Sequence, residues 1–124
     1  MIILNATTKS LQILLGGVVT LNELPFTTHY VDITTTSYTP ASNDGLSSGA
    51  TAVTVVAAPA ASTQRQVKLL TVYNADTIGE TVTVRLNNNG TFRILVAVAL
   101  AAGSTLVYTD GEGFRVMNSA GQIL

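Results

Sequence analysis

The sequence predicts an all-β protein, a single antiparallel β-sandwich of jelly-roll type. Three observations support this fold class. Threonine is the commonest of the 124 residues and valine is abundant, and β-branched residues favour strands. Apolar and polar residues alternate with a period of two in several segments. Turn residues recur at short intervals, and no stretch combines a helical apolar stripe with capping residues.

The clearest alternation flanks an Asn-Gly pair. In "ETVTVRLN" the apolar residues predicted to share one strand face are Val82, Val84 and Leu86. In "TFRILVAV" the corresponding residues are Phe92, Ile94, Val96 and Val98. Asn89-Gly90 lies between the two segments, and both residue types tolerate a positive φ angle. The sequence therefore predicts a tight β-hairpin here.

Further short strands are predicted on both sides of this hairpin. The segments are "IILN", "SLQILL", "FTTHYVDITT", "TAVTVVA", "QVKLLTVYN", "STLVYT" and "GFRVM". One segment breaks the pattern, because Ser37 to Ala50, "SYTPASNDGLSSGA", is rich in Ser, Gly, Asn and Pro. We interpret that segment as a long loop within one domain.

The length suits one domain with its own core. We expect residues 21–124 to form the sandwich and residues 1–20 to form an N-terminal arm or edge hairpin. Burial of one large aliphatic side chain contributes about 1.5–3 kcal/mol of stabilising free energy. We therefore expect the apolar residues of this segment to be buried. They are Ile2, Ile3, Leu4, Ile13, Leu14 and Leu15. Either they complete the sheet of their own subunit or, as we favour, they pack against a neighbouring subunit or another component of a larger assembly.

Composition excludes several classes of function. Charged residues make up 10% of the chain and the net charge is -1, which gives no basic footprint for nucleic acid. The longest uncharged apolar run, Ile94 to Ala102, is far shorter than the roughly 20 residues of a membrane-spanning helix. The start lacks the basic region and cleavage site of a signal peptide. We therefore expect no nucleic-acid and no membrane partner.

Reactive residues are few and scattered. The chain has no cysteine, which excludes thiolate chemistry and Cys-based zinc sites. Its one histidine, His29, has no orienting acid in register, because Asp32 lies three residues away on the other strand face. Asp110-Gly111-Glu112-Gly113 lacks the distal acid of an EF-hand loop, so we interpret it as a turn, with a weak cation site as the alternative. We predict no enzymatic activity, no metal and no cofactor.

Basic residues near the centre of the chain have two interpretations. They are Arg65, Lys68, Arg85 and Arg93. Arg85 and Arg93 flank the predicted hairpin and could be cross-strand neighbours, a mildly unfavourable pairing unless an acid lies between them. The set could form a solvated face. It could also form a docking surface for an acidic partner, since arginine is enriched in interfaces.

From Leu24 onward the chain resembles small virion structural proteins of tailed bacteriophages. The segments that carry the resemblance are "LPFTTHYVDITTTSYTP", "TAVTVVAAPAASTQRQVKLLTVYNADT", "VTVRLNNNGTFRILVAVALAAGSTLVYTDGEGFRV" and "NSAGQIL". The resemblance implies a β-sandwich subunit of the particle. Some such proteins are cement or decoration proteins that clamp the capsid, often as trimers, and others belong to head fibres, tails or baseplates. The family has no catalytic residues to transfer to this chain.

We therefore expect a homotrimeric cement or decoration protein. It would be made in the host cytoplasm and would lie on the capsid exterior, bound to the major capsid protein or other virion proteins. A tail, head-fibre or baseplate subunit is the alternative within the virion. A carbohydrate-binding sandwich is the alternative from another class, although such modules rely on exposed aromatic residues and this chain has four Tyr and no Trp.

Overall fold

Ten strands and no helix form the protein in a computed structural model that describes residues 1–124. The strands are β1 (Ile2–Leu4), β2 (Lys9–Leu15), β3 (Pro25–Ile33), β4 (Tyr38–Leu46), β5 (Val53–Val56), β6 (Gln64–Tyr73), β7 (Glu80–Asn88), β8 (Thr91–Leu100), β9 (Thr105–Thr109) and β10 (Gly113–Met117). The strands build two sheets that pack face to face, and every strand pairing is antiparallel. The structure confirms the all-β antiparallel sandwich, whereas its assignment to the jelly-roll type stays a prediction.

The two sheets differ in size. The large sheet has six strands in the order β10-β9-β6-β3-β4, and β1 also pairs with β6. The small sheet has four strands in the order β5-β2-β7-β8. β1 pairs with the first half of β6 and β9 pairs with the second half. These two strands therefore lie end to end along the same side of β6, where the Ile2 amide donates to the Tyr108 hydroxyl at 2.9 Å.

The core lies between the two sheets. Sixteen buried apolar residues form a single cluster, and most of them are supplied by alternate positions along the strands, as a period-2 pattern requires. The largest side chains that are fully buried are Leu4, Leu11, Ile13, Leu15, Leu24, Leu70, Leu100 and Leu106. Because both sheets contribute to this cluster, the whole chain forms one domain.

The N-terminal segment belongs to the sandwich, which contradicts the prediction of an arm or edge hairpin over residues 1–20. β1 lies in the large sheet, and β2 is an inner strand of the small sheet between β5 and β7. The accessible surface of 6241 Å² agrees with the roughly 6,300 Å² expected for a compact monomer of this mass. The N-terminal segment joins the sandwich because Leu11, Ile13 and Leu15 alternate along β2. This alternation directs three aliphatic side chains into the core of this chain.

The predicted loop over Ser37 to Ala50 is largely a strand, β4, which pairs with β3 along its whole length. β4 is the outer strand of the large sheet, and nearly all of its residues are exposed. An outer strand that covers no core needs no apolar alternation, so its composition resembles that of a loop. Pro40 is tolerated there because an edge strand has one unpaired side.

The Asn-Gly hairpin is confirmed, but the face prediction for the second strand is partly wrong. Asn89 and Gly90 have φ angles of 51° and 87°, and Asn88 pairs with Thr91 across the turn. Val84 pairs with Val96 but Arg85 pairs with Ile94, so Leu95 is an extra residue in β8. This β-bulge reverses the faces. The side chains that point inward are Val96 and Val98, whereas Phe92 and Ile94 point outward.

Candidate interaction surface

The outer edge of β8 is apolar and open. β8 is the last strand of the small sheet, so one side of its backbone has no neighbouring strand. Three large apolar side chains remain exposed there, Phe92 at 47%, Ile94 at 67% and Leu95 at 41%. Residues 96–99 are alternating valine and alanine, Thr91 and Leu100 are the two ends of the strand, and Arg93 is its one charged residue. A long strand edge of this composition is a template for pairing with another strand.

An apolar groove lies beside this edge. It has a volume of about 380 Å³ and opens where β8 and β10, the outer strands of the two sheets, separate. The residues that line it are Val96, Val98, Ala99, Leu106, Phe114, Arg115, Val116 and Leu124. Seven of these eight residues are hydrophobic. The exposed edge of β8 (residues 92–99) and this groove form one continuous apolar area, here called the β8 surface.

The other sheet edges carry features that discourage pairing. β4 contains Pro40 and Asp44, and both residue types blunt an edge strand. β1 and β5 have only three and four residues. β10 is covered by the C-terminal segment, whose Leu124 amide donates to the Val116 carbonyl at 2.8 Å. β8 has ten residues, with the Leu95 bulge as its one irregularity.

Arg65, one of the predicted docking residues, is engaged within the fold. Its guanidinium donates to both carboxylate oxygens of Asp32 at 2.7 and 2.9 Å, and to the carbonyl oxygen of Ala57 at 2.8 Å. It also lies 4.4 Å from the centre of the Tyr30 ring. Its hydrogen bonds lower the pKa of the Asp32 carboxyl. With 13% of its side chain exposed, Arg65 ties β3 and β6 to the loop before β6.

Arg85 and Arg93 are not cross-strand partners. Arg85 pairs with Ile94, and Arg93 pairs with Leu86, so the bulge places the two arginines on opposite faces of the small sheet. Arg85 lies over the Phe92 ring at 3.7 Å and donates to the Gln12 side chain at 3.0 Å. Arg93 is exposed and makes no ion pair. Of the three predicted arginines, Arg93 is therefore the one free to contact a partner.

The six N-terminal apolar residues are distributed between core and surface. Leu4, Ile13 and Leu15 are buried in the core, which contradicts their prediction as docking residues. Ile2 is half-buried and packs against the same core. Ile3 is exposed, and Leu14 is half-buried on the outer face of the small sheet, opposite Thr83. Of these six residues, only Ile3 and Leu14 thus lie outside the core where a partner could reach them.

Asp110-Gly111-Glu112-Gly113 is the turn between β9 and β10. Gly111 and Gly113 have φ angles of 88° and 81°, values that favour glycine. The Asp110 carboxylate accepts a hydrogen bond from the Lys68 ammonium at 2.9 Å, and Glu112 forms an ion pair with Arg115 at 2.6 Å. Both carboxylates are therefore neutralised by cationic side chains of the same chain. No group of three or more His, Cys, Asp or Glu residues that could hold a metal ion occurs in the structure.

Two buried carboxylates form a site that the sequence interpretation missed. Burial of Asp76 opposes its ionisation, but four backbone N–H groups outweigh this effect and lower its pKa. The donors are the amides of Thr20, Leu21, Asn22 and Thr77, at 2.8 to 3.2 Å. Asp76 thereby fixes the segment that links β2 to β3. The turn sequence "NADTIG" is the one feature that could have indicated it, because Asp in a turn often accepts backbone amides.

Glu80, at the start of β7, is the second buried carboxylate. It is 7% exposed, and its Oε1 atom has no hydrogen-bond partner. Burial raises the pKa of Glu80, and the nearby carboxylates of Asp76 and Glu23 raise it further. Two adjacent carboxylates oppose each other's ionisation, so the neighbouring Asp76 disfavours the charged form of Glu80.

His29 is exposed on β3, where it lies opposite Ser42 and Leu69. It makes no side-chain hydrogen bond to Asp32, because that carboxylate is bound to Arg65. The geometry therefore assembles no His-acid pair at this position.

A shallow polar cleft of about 370 Å³ lies at one end of the sandwich. Hydroxyl and amide side chains dominate its lining. The residues are Asn5, Ile33, Thr34, Thr35, Ser62, Thr63 and Gln64. Ser62 adopts a φ angle of 58°, a conformation that few non-glycine residues adopt. The cleft presents hydrogen-bonding groups without an aromatic platform among its lining residues.

Comparison with known proteins identifies no relative. No protein-family model matches the chain, and the searches of curated proteins and of solved structures also return no match. The fold contains no helix of the length and apolar character needed to cross a bilayer.

Proposed function

We propose that the protein is a structural subunit of a phage virion, and specifically a cement or decoration protein that binds the capsid exterior and stabilises the shell. The resemblance of its sequence to small virion structural proteins motivates the class. The β8 surface is the observation that supports an assembly role. An open, largely apolar edge on a strand of ten residues favours aggregation of an isolated chain and suits a subunit that neighbouring subunits cover.

The rest of the molecule is consistent with a building block. The strands bury a single core, and the ion pairs Arg65–Asp32 and Lys68–Asp110 connect elements within the fold. The outer face of the small sheet carries threonine and alanine from β7 and β8, with Arg85 covered by Phe92. A sheet face with few charges suits packing against another protein surface. We propose that the chain forms a homo-oligomer with the major capsid protein as its partner in the shell, either the trimer that the resemblance suggests or an assembly built on a two-fold contact.

The experiment is removal and restoration of the protein in a phage that encodes it. Heads from a phage with the gene deleted should assemble but release DNA at a lower temperature than complete heads, as followed with a DNA-binding dye. Added purified protein should restore the release temperature. Heads that lack the protein and keep normal stability, with no binding on addition, would exclude the cement function. Particles that lack tails or fail to adsorb would instead favour a tail, head-fibre or baseplate subunit.

The polar cleft supports a second candidate function, binding of carbohydrate. Its threonine, serine, asparagine and glutamine side chains offer the donors and acceptors that sugar hydroxyls require. A glycan array with the purified protein tests this candidate, with Thr35→Val as the variant that removes one hydroxyl of the cleft. Binding that the variant loses would establish a glycan site. No binding to any glycan would exclude this candidate.

A further inference from the structure

We infer that β8 pairs with β8 of a second copy of this chain, antiparallel and about a two-fold axis, which joins two small sheets into one continuous sheet. The inference rests on the proposed function for its biological setting and deepens it by naming the partner of the β8 surface. Three properties of β8 support self-pairing rather than pairing with an unrelated strand. They are the size pattern of its outward side chains, the position of its bulge and the position of its one charge.

The outward side chains of β8 are complementary in size to themselves. Phe92 and Ile94 are bulky and lie before the bulge, whereas Ala97 and Ala99 are small and lie after it. In an antiparallel pair about a two-fold axis, the first half of one strand lies opposite the second half of the other. Phe92 then faces the partner's Ala99, and Ile94 faces the partner's Ala97. Each bulky side chain meets a small one.

The Leu95 bulge is what permits this register. Residues directly opposite each other in an antiparallel pair point to the same face. The extra residue exchanges the faces of the two halves of β8, so that Ile94 and Ala97 share the outer face although they are three residues apart. In a regular strand, residues 92, 94, 96 and 98 would share one face and bulky residues would oppose each other. The bulge lies at the two-fold axis, where Leu95 faces the partner's Val96.

The charge distribution is compatible with self-pairing. Arg93 is the one charged residue of β8, and in this register it lies opposite the partner's Val98. The two arginines are therefore on opposite sides of the axis, and no like charges face each other. Val96 and Val98 both line the groove beside β8. The pairing places Leu95 and the aliphatic stem of Arg93 next to the groove of the partner, so the dimer covers the groove as well as the edge.

The extent of the contact is sufficient for a specific interface. A strand of ten residues offers an edge about 33 Å long, and pairing satisfies its free backbone groups. The adjoining groove of about 380 Å³ adds apolar area from β10 and from the C-terminal residue Leu124. A backbone edge plus an apolar groove provides the two components of recognition by strand addition, in which the backbone gives affinity and side-chain pockets give register.

The first test is the mass of the purified full-length protein by light scattering. The wild type should have twice the chain mass of 12.9 kDa. Leu95→Lys should reduce the mass to that of one chain and keep a cooperative melting transition, because Leu95 is an extra residue of β8 that is 41% exposed in the monomer. Its melting temperature should fall only by the contribution of dimerisation, which depends on protein concentration. Leu46→Lys is the matched control on the β4 edge, where Leu46 is 59% exposed, and it should leave the dimer intact. A monomeric wild type at all concentrations, or a dimer lost in Leu46→Lys and kept in Leu95→Lys, would overturn the inference.

The second test reads the register and does not depend on Leu95→Lys folding. The chain has no native cysteine, and both Ile94 and Ala97 are exposed. An equimolar mixture of Ile94→Cys and Ala97→Cys proteins, mildly oxidised, should give a covalent dimer on a non-reducing gel. Each variant alone should give much less, because residue 94 faces residue 97 of the partner and not its own copy. Equal crosslinking in the mixture and in the separate variants would contradict the register.

The same measurements separate this inference from the proposed function. A trimeric mass, unchanged in Leu95→Lys, would overturn β8 self-pairing and leave the virion proposal standing. A dimer with the predicted crosslink, from a protein that is absent from the particle, would support the pairing and reject the virion proposal.

Discussion

At the scale of single residues, the structure assigns most polar side chains to the stability of the fold. Asp76 accepts four backbone amides, and Arg65 binds Asp32 through two hydrogen bonds. Two buried polar atoms are exceptions, Glu80 Oε1 and Arg115 Nε, since neither has a hydrogen-bond partner. An unpaired buried polar atom has an energetic cost. Glu80 is thus one of the less well accommodated residues of the molecule.

Replacement of Glu80 should change how stability depends on pH. Because the pKa of Glu80 is raised in the folded state, the folded protein binds this proton more tightly than the unfolded chain does. The stabilisation is therefore present below the ordinary value of 4.5 and is lost as pH rises through the folded pKa. Glu80→Gln cannot ionise, so it should melt above the wild type at neutral pH and approach it near pH 4.

The control for this prediction is Glu112→Gln, since Glu112 forms a surface ion pair with Arg115 and its side chain is 58% exposed. Melting temperatures of the three proteins over a series of buffers would give the comparison. A constant offset between Glu80→Gln and the wild type across the whole pH range would contradict the account of Glu80. The pH dependence contributed by Asp76 has the opposite sign. Its pKa is lowered in the folded state, so the stability that it contributes is lost as pH falls.

Residue-level features could be predicted from sequence only where local chemistry determines them. The positive φ angles at Asn89 and Gly90 follow from a two-residue turn between alternating segments. The Arg65–Asp32 pair could not be predicted, because it depends on the register of β3 against β6, which shifts between His29 and Tyr30. The alternation of apolar and polar residues does not reveal where such a register shift occurs.

At the scale of elements, β8 shows how one extra residue changes the interpretation of a strand. The alternation predicted that Phe92, Ile94, Val96 and Val98 share a face, and the strand and its hairpin exist as predicted. The Leu95 bulge nonetheless turns the first two side chains outward. A bulge moves every residue on one side of it to the other face. The exposed apolar edge that we interpret as an interface is a direct consequence.

The turn before β8 gives an element-scale prediction. Gly90 has a φ angle of 87°, and a Cβ atom there would meet no other atom within 4 Å. Gly90→Val should therefore destabilise the protein through backbone strain alone, by about 1–2 kcal/mol. Gly17→Val is the matched control, because Gly17 is equally free of neighbours and has no positive φ angle. Chemical denaturation should show a loss only at Gly90, and equal losses at both positions would contradict the strain argument.

Edge strands were the elements least accessible to sequence analysis. β4 was predicted as a loop because a strand exposed on both faces lacks the apolar alternation that identifies strands. β2 shows the opposite case, because its alternation of Leu11, Ile13 and Leu15 was visible in the sequence. The prediction of an arm over residues 1–20 is wrong because that alternation, and not the overall apolar composition of the segment, determines where it packs.

At the scale of the whole molecule, the sandwich depends on both ends of the chain. β1 and β2 contribute to different sheets, and β2 pairs on both sides. Deletion of residues 1–20 should therefore prevent folding, because it separates β5 from β7 and removes Leu4, Leu11, Ile13 and Leu15 from the core. Circular dichroism should show loss of the β spectrum. A truncated protein that keeps a cooperative melting transition would contradict the assignment of this segment to the core.

Fold class and function differ in how far they follow from the sequence. Alternation, turn residues and low charge were sufficient for the all-β sandwich, because these features act locally and repeat along the chain. The candidate interface required coordinates, since β8, β10 and Leu124 meet only in the folded molecule. The hydrogen bond from the Ile2 amide to the Tyr108 hydroxyl joins residues 106 positions apart. Contacts between such distant residues of a β-protein cannot be predicted from the alternation pattern alone.

The most direct test of the virion proposal is the number of copies of this chain in each purified particle, measured by quantitative mass spectrometry with the major capsid protein as the internal reference. A decoration protein that covers the shell should be present in hundreds of copies per particle. A dozen copies or fewer would place the protein in a tail, fibre or vertex and contradict the cement function. Its absence from purified particles would contradict the proposal that it is a virion subunit.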